Sequence, residues 1–103
     1  MRSAMVKVLG RPAGILTEVD RPGHYRFGYL VRYDGPPISL TMPLREEPYG
    51  FDRFPPFFDG LLPEGAQLEA LLRVAKVDRN DPMGQLLVVG GDLVGAVTVE
   101  PME

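Results

Sequence analysis

The stretch His24-Tyr25-Arg26-Phe27-Gly28-Tyr29-Leu30-Val31-Arg32-Tyr33 carries the clearest structural signal in this 103-residue sequence. Four aromatic residues and a valine occupy every second position from Tyr25 to Tyr33. An alternation with a period of two is typical of a β-strand that buries one face. We therefore expect a strand over residues 25–33, set in a sheet that packs against a core.

Further strands are predicted on both sides of this stretch, at residues 5–9, 15–19 and 38–42. Turns are predicted between the strands, at residues 11–14, 20–23 and 34–37. In the strand at 38–42, apolar and polar residues alternate, and Pro43 ends it because proline has no N–H for the ladder. Residues 45–50 are polar, with a proline and a glycine, and are expected to form a loop.

The second half of the chain changes to a helical period. A short helical turn is expected to begin at Pro55 or Pro56, since proline fits the first turn of a helix. Pro63 and Glu64 open the longest predicted helix. Its buried stripe follows helical spacing at Leu68, Leu71, Leu72 and Ala75, with Glu69 and Arg73 on the solvent side.

A third helix is predicted from its cap. Asp81 is suited to cap it, Pro82 to begin it, and Met83, Leu86 and Leu87 to bury it. Gly90 and Gly91 then end it. Residues 93–99 are apolar on both faces, which predicts a last strand in the centre of the sheet. We expect one α+β domain over residues 1–103, with about five mostly antiparallel strands and two to three helices packed on them.

Composition limits the classes of function. The net charge is −3, and a nucleic-acid-binding domain is normally basic. The sequence has no cysteine, which excludes disulfides and cysteine-ligated metals. Its longest aliphatic run, residues 86–89, is too short to span a membrane, and residues 1–9 do not resemble a signal peptide. We expect a cytoplasmic protein with no membrane or direct nucleic-acid partner.

Residues suited to catalysis are few. His24 is the single histidine and stands at a strand end, where a solvated side chain is the simpler interpretation. Ser39 is interpreted as an outward-facing strand hydroxyl. Asp59 and Glu64 form the one carboxylate pair that would suit a hydrolase, although helix capping explains both. Residues 90–95 lack the lysine of a phosphate-binding loop. We expect no catalytic residue, no metal and no cofactor.

The segment from Phe51 to Leu62 is unusually apolar. It holds four phenylalanines and two leucines, interrupted by Pro55, Pro56 and Gly60. Phe54 and Leu61 are expected to cover the sheet. The adjacent pairs Phe57-Phe58 and Leu61-Leu62 are harder to bury completely, and exposed apolar patches mark partner surfaces.

Four strings resemble a known family. They are Ile38-Ser39-Leu40-Thr41-Met42-Pro43-Leu44-Arg45, Phe57-Phe58-Asp59-Gly60-Leu61-Leu62-Pro63-Glu64-Gly65, Asp81-Pro82-Met83-Gly84-Gln85-Leu86-Leu87 and Gly90-Gly91-Asp92-Leu93-Val94-Gly95-Ala96-Val97. In this order they resemble the N-terminal subdomain of the HipA-type serine/threonine kinases of bacterial toxin–antitoxin systems. The kinase core of those proteins has no counterpart in this chain. The resemblance implies a stand-alone, HipS-like antitoxin of a HipBST-type system.

The resemblance also implies partners. A HipS-like protein binds and inhibits a separately encoded HipA/HipT-like kinase, and a HipB-like DNA-binding protein joins through that kinase. The partner-binding residues expected here are Phe57, Phe58, Asp59, Leu61, Leu62, Pro63, Glu64, Gly65 and Gln67. Inhibition by insertion near the active-site cleft and by separation of the kinase lobes both stay open. Some relatives carry a bulky aromatic residue after the Pro-Glu-Gly turn, whereas this chain has Ala66 and Gln67, which argues against an aromatic plug.

Three alternatives stay beside the antitoxin hypothesis, and one of them is a degenerate kinase fragment with no role of its own, which failure to bind any neighbouring gene product would favour. The chain could be an accessory subunit that assembles a kinase–repressor complex without neutralising the kinase. The less favoured alternative is a small hydrolase that uses Asp59 and Glu64. Activity against phosphoester or glycoside substrates that Asp59→Ala abolishes would favour the hydrolase. Restored growth on co-expression with the kinase separates an antitoxin from an accessory subunit.

Overall fold

The computed structural model describes residues 1–19, 23–93 and 95–102, and this part of the chain holds five strands: β1 (Ser3–Val8), β2 (Arg11–Glu18), β3 (Tyr25–Tyr29), β4 (Tyr49–Phe51) and β5 (Val97–Met102). They form one antiparallel sheet in the order β4-β3-β2-β1-β5. Asp20, Arg21 and Pro22 of the predicted turn, Val94 of the predicted last strand, and Glu103 lie outside the described residues. The two predicted N-terminal strands are present as β1 and β2. The turn predicted at residues 11–14 is wrong, because these residues belong to β2 and the hairpin turns at Leu9 and Gly10, which both have positive φ.

Three α-helices follow the fourth strand in the described part of the chain: α1 (Pro56–Asp59), α2 (Gly65–Ala75) and α3 (Pro82–Val89). A 3₁₀ turn, Gly90–Asp92, connects α3 to the segment before β5. The predicted α+β class, with an antiparallel five-stranded sheet and a last strand that returns to it, is confirmed. Asp81 caps α3 as predicted, since its carboxylate accepts a hydrogen bond from the Gly84 N–H at 3.1 Å.

The core lies between one face of the sheet and the helices. The strands contribute Val6, Leu16, Phe27 and Val99, and the helices contribute Phe58, Met83 and Leu86, all at most 1% exposed. Alternate strand residues such as Met5 and Lys7 lie on the opposite face and stay half-buried. The helices therefore cover one side of the sheet only.

The predicted strand at 25–33 ends at Tyr29, and the predicted strand at 38–42 is wrong. The Tyr33 N–H donates to the Leu30 carbonyl at 3.0 Å, which turns the chain, and Val31 is fully exposed. The Tyr29 hydroxyl accepts from the Ile38 N–H at 2.9 Å and donates to the Met42 carbonyl at 2.5 Å. Residues 38–42 are therefore folded onto Tyr29, which buries Ile38 and Met42 without a strand.

The two edges of the sheet also differ from the prediction. The fourth strand, β4, lies at the end of the segment predicted as a loop. The last strand is an edge strand and not a central one, because among the strands that the structure describes β5 pairs with β1 alone. It begins at Val97, and Leu93, which directly follows the 3₁₀ turn, is half-buried against the core outside the strand. Gly95 and Ala96 are exposed, so in the described part of the predicted strand only residues 97–99 belong to β5.

Candidate functional site

The apolar segment singled out in the sequence folds as α1 followed by a tight turn. Pro55 is extended and Pro56 begins the helix, so the fixed φ of proline suits both positions. The Leu61 N–H donates to the Phe58 carbonyl at 3.0 Å, and the Leu62 N–H donates to the Asp59 carbonyl at 3.1 Å. These bonds hold residues 60–64 in a compact projection between α1 and α2, which we call the ridge.

Gly65 determines how the ridge joins α2. Glu64 has an extended backbone, with φ −130° and ψ 164°, and Gly65 has φ +58°. A positive φ is unfavourable for residues with a β-carbon, so glycine suits this position by conformation. Because a β-carbon at Gly65 would meet no atom within 4 Å, the site is open to solvent and the demand for glycine is not steric.

The prediction that Phe58 belongs to the partner surface is wrong. Its side chain is fully buried, and its ring lies 5.8 Å from the ring of Phe27 on β3. Phe57, half-buried, packs edge-on against Phe58 at 5.2 Å. Phe58 therefore anchors α1 to the sheet and is not accessible to a partner, while Phe57 retains an exposed part.

The other predicted site residues lie together at the surface. Leu61, Leu62 and Pro63 are half-buried, whereas Asp59, Glu64, Gly65 and Gln67 are exposed. A groove of about 360 Å³ lies on one side of the ridge, lined by Gly60, Leu61, Leu62, Pro63, Gln67, Val89, Asp92 and Leu93. A second groove, of about 320 Å³, is lined by Asp59, Leu62, Pro63, Glu64, Leu68, Arg79, Pro82 and Gln85. Leu62 and Pro63 line both grooves and form the crest of the ridge.

Helix α2 contributes surface that the sequence assigned to the core. Leu68, Leu71, Leu72 and Ala75 lie on one face as predicted, but none of them is fully buried, and no residue of α2 is. Val74, on another face, is 82% exposed. The apolar stripe of α2 is therefore continuous with the ridge as accessible surface. The periodicity of the stripe was the available signal, but an amphipathic pattern does not specify whether its own sheet or a partner covers it.

One ion pair fixes α2 relative to the segment that follows it. Nη2 of Arg79 lies 2.7 Å and 2.6 Å from the two carboxylate oxygens of Glu69. The Arg79 carbonyl accepts a hydrogen bond from the buried side chain of Gln85 at 3.0 Å. Through Arg79 the exposed helix α2 is connected to α3.

Asp59 and Glu64 do not have the surroundings of an acid–base pair. Both side chains are exposed, and they line the same open groove. General acid–base chemistry with two carboxylates requires environments that separate their two pKa values, usually through burial of one of them. The arrangement suits recognition of a cationic group better than hydrolysis.

The remaining candidates lie elsewhere. His24 lines a separate groove of about 780 Å³ beside β4, together with Arg26 and Arg53. Ser39 is hydrogen-bonded to Thr41 within the folded loop, at 2.9 Å between their hydroxyls. Across residues 1–19, 23–93 and 95–102, no three His, Asp or Glu side chains are grouped as metal ligands, and no helix is long and apolar enough to cross a membrane.

Comparison with known proteins places this geometry in a family context. A family model described as "HipA N-terminal domain" matches residues 4–100. A solved structure titled "N-terminal domain of HipA toxin" superimposes with a TM-score of 0.77 at 30% identity, covering 100% of this chain and 94% of that one.

Curated relatives are of two lengths. An "Uncharacterized protein" of Haemophilus influenzae is 33% identical over 97% of this chain and 92% of its own length. "Putative kinase Y4mE" and "Putative kinase Y4dM" of Sinorhizobium fredii are each 33% identical, over 89% and 95% of this chain. The match spans only 23% and 26% of those two proteins. The same domain therefore makes up about a quarter of the longer relatives and most of the shorter one.

Proposed function

The chain belongs to the HipA N-terminal domain family, and we propose that it is a non-catalytic antitoxin that binds and inhibits a separately encoded HipA/HipT-type serine/threonine kinase. A HipB-like DNA-binding protein joins this complex through the kinase. The protein acts in the cytoplasm by contact and not by a reaction of its own.

The accessible apolar surface of the ridge and α2 is the observation that carries this proposal. Leu61 and Leu62 pack against the core with part of their side chains, and together with Pro63 they stay half-buried, so each retains an accessible part. The apolar stripe of α2 extends the same surface. Removing such surface from water favours association by about 25 cal/mol for each Å² of apolar area, before the entropic cost of association is subtracted.

The lengths of the relatives support a kinase as the partner that covers this surface. In the two proteins named as kinases, about three quarters of the chain lies outside the matched segment. Domains joined in one chain pack through an interface of their own, and separation of the two leaves that interface exposed on each. We take the surface of the ridge and α2 as the part that contacts the kinase. The 92% coverage of the Haemophilus influenzae relative supports the existence of this domain without a fused kinase.

The test is co-expression with a HipA-type kinase encoded in the same genome. We expect the chain to restore growth of cells that the kinase arrests, and to co-purify with it. Leu62→Asp places a charge on the crest of the ridge, and we expect it to abolish both effects. Val31→Asp is the matched control, because Val31 is fully exposed and lines a different groove.

Two results would contradict the proposal at different levels. A stable complex with unchanged growth arrest would show an accessory subunit and not an inhibitor. Absence of any complex with the wild-type chain would remove the kinase-binding role itself.

A further inference from the structure

Carboxylates surround the crest of the ridge on both sides. Asp59 and Glu64 line the smaller groove, and Asp92 lines the larger one. All three side chains are exposed. The cation that shares the smaller groove, Arg79, is already engaged by both oxygens of Glu69. The charge that the two grooves present to a bound partner is therefore negative.

The grooves combine these carboxylates with apolar walls. In the smaller groove Leu62 and Leu68 lie beside Asp59 and Glu64. Lysine and arginine side chains have the matching composition, with an aliphatic stem that packs on apolar surface and a charged head at its end. A guanidinium also forms bidentate hydrogen bonds with carboxylates. The groove thus fits a long cationic side chain better than an apolar or an acidic one.

We propose that the kinase surface recognised by this chain is an apolar pocket flanked by arginine or lysine side chains. Leu62 and Pro63 enter the pocket, and the cationic side chains enter the two grooves, with their heads at Asp59 and Glu64 on one side and Asp92 on the other. This inference rests on the proposed function. It adds the chemistry of the partner, argued from charge complementarity between these grooves and the face that covers them.

The charges then act mainly on the rate of association. Complementary charges around an interface steer the encounter of the two proteins, and salt screens this effect. Contact of Leu62 and Pro63 with the pocket acts mainly on the lifetime of the complex. The two contributions can be measured separately on the same pair of proteins.

The experiment measures association of the purified chain with the kinase by surface plasmon resonance between 50 and 300 mM NaCl. We expect the double variant Asp59→Lys/Glu64→Lys to associate about tenfold more slowly at the lowest salt, with the difference decreasing as salt rises. Asp52→Lys/Glu47→Lys is the matched control, because it gives the same change in net charge at two exposed carboxylates that line neither groove. We expect the control to change the association rate less than about threefold.

Equal slowing by the two double variants, or wild-type association that does not depend on salt, would overturn this inference. If the kinase still binds Asp59→Lys/Glu64→Lys but does not bind Leu62→Asp, the proposed function is retained. If circular dichroism shows that the reversed variant is unfolded, Asp59→Asn/Glu64→Gln replaces it and is expected to slow association in the same direction.

Discussion

Arg2 and Asp81, which are 79 positions apart in the sequence, are joined by two parallel hydrogen bonds. Nη1 of Arg2 lies 2.9 Å from Oδ2 of Asp81, and Nη2 lies 2.8 Å from Oδ1. The same guanidinium donates to both carboxylate oxygens of Glu18, at 3.0 Å and 2.8 Å. Since Asp81 caps α3 and Glu18 ends β2, Arg2 connects the sheet to the helix that closes the core.

Replacement of Arg2 by alanine is expected to lower the free energy of unfolding by about 1–2 kcal/mol. Charge-assisted hydrogen bonds contribute more than neutral ones, but partial exposure of this group reduces the gain. Urea denaturation followed by circular dichroism measures the change. Arg79→Ala removes a single exposed pair and is expected to cost about 0.5 kcal/mol or less. An equal decrease in the free energy of unfolding in the two variants would show that the network around Arg2 stabilises the fold no more than one exposed ion pair.

The same network predicts sensitivity to acid. Hydrogen bonds from Arg2 hold the pKa values of Glu18 and Asp81 below their ordinary values of 4.5 and 3.8. A carboxylate whose pKa is lower in the folded state stabilises the fold above its unfolded pKa, and this contribution is lost as the pH falls through the folded value. We therefore expect the free energy of unfolding to decrease below about pH 4.5, with Arg2→Ala showing a weaker decrease. Chemical denaturation from pH 7 to pH 2.5 measures both slopes, and parallel slopes would contradict the assignment.

Gly90 and Gly91 are adjacent but should respond differently to alanine. A β-carbon on Gly90 would overlap the carbonyl oxygen of Val99 and lie 2.8 Å from its Cβ, whereas one on Gly91 would meet nothing within 4 Å. Because the obstacle at Gly90 is partly backbone of β5, we expect Gly90→Ala to cost about 1–3 kcal/mol. Gly91→Ala should leave the thermal midpoint nearly unchanged. A similar loss in both would mean that β5 does not approach the 3₁₀ turn this closely.

Local patterns were sufficient for much of the fold. The two strands of the β1–β2 hairpin follow from short apolar runs, although the turn lies before residues 11–14 and not at them. Helix α3 follows from Asp81 and Pro82 at its start. The alternation up to Tyr33 is misleading beyond Tyr29, because the chain turns where the Tyr33 N–H donates to the Leu30 carbonyl. The backbone at Ile38 and Met42 is held by the Tyr29 hydroxyl and not by a strand ladder, and no alternation of residue types reports such a side-chain contact.

The sequence singles out one segment for the candidate site but divides its residues incompletely between core and surface. Phe57 and Phe58 are adjacent on α1 and cannot both face the sheet, and the sequence does not specify that Phe58 is the one that meets Phe27. The leucines of α2 have the spacing of core residues although α2 buries none of them completely. Whether a stripe is covered depends on how far the rest of the domain reaches, which is a property of the tertiary structure.

Phe58 and Leu62 give the sharpest separation of core from surface. Phe58→Ala removes a fully buried ring, and we expect it to lower the free energy of unfolding by about 3–5 kcal/mol. Leu62→Asp removes a half-buried side chain from the crest of the ridge, and we expect it to cost less than about 1.5 kcal/mol because the charge can reach solvent. Urea denaturation of both variants measures the difference. If Leu62→Asp lowered the free energy of unfolding as much as Phe58→Ala, Leu62 would belong to the core. The ridge would then not be free to bind the kinase.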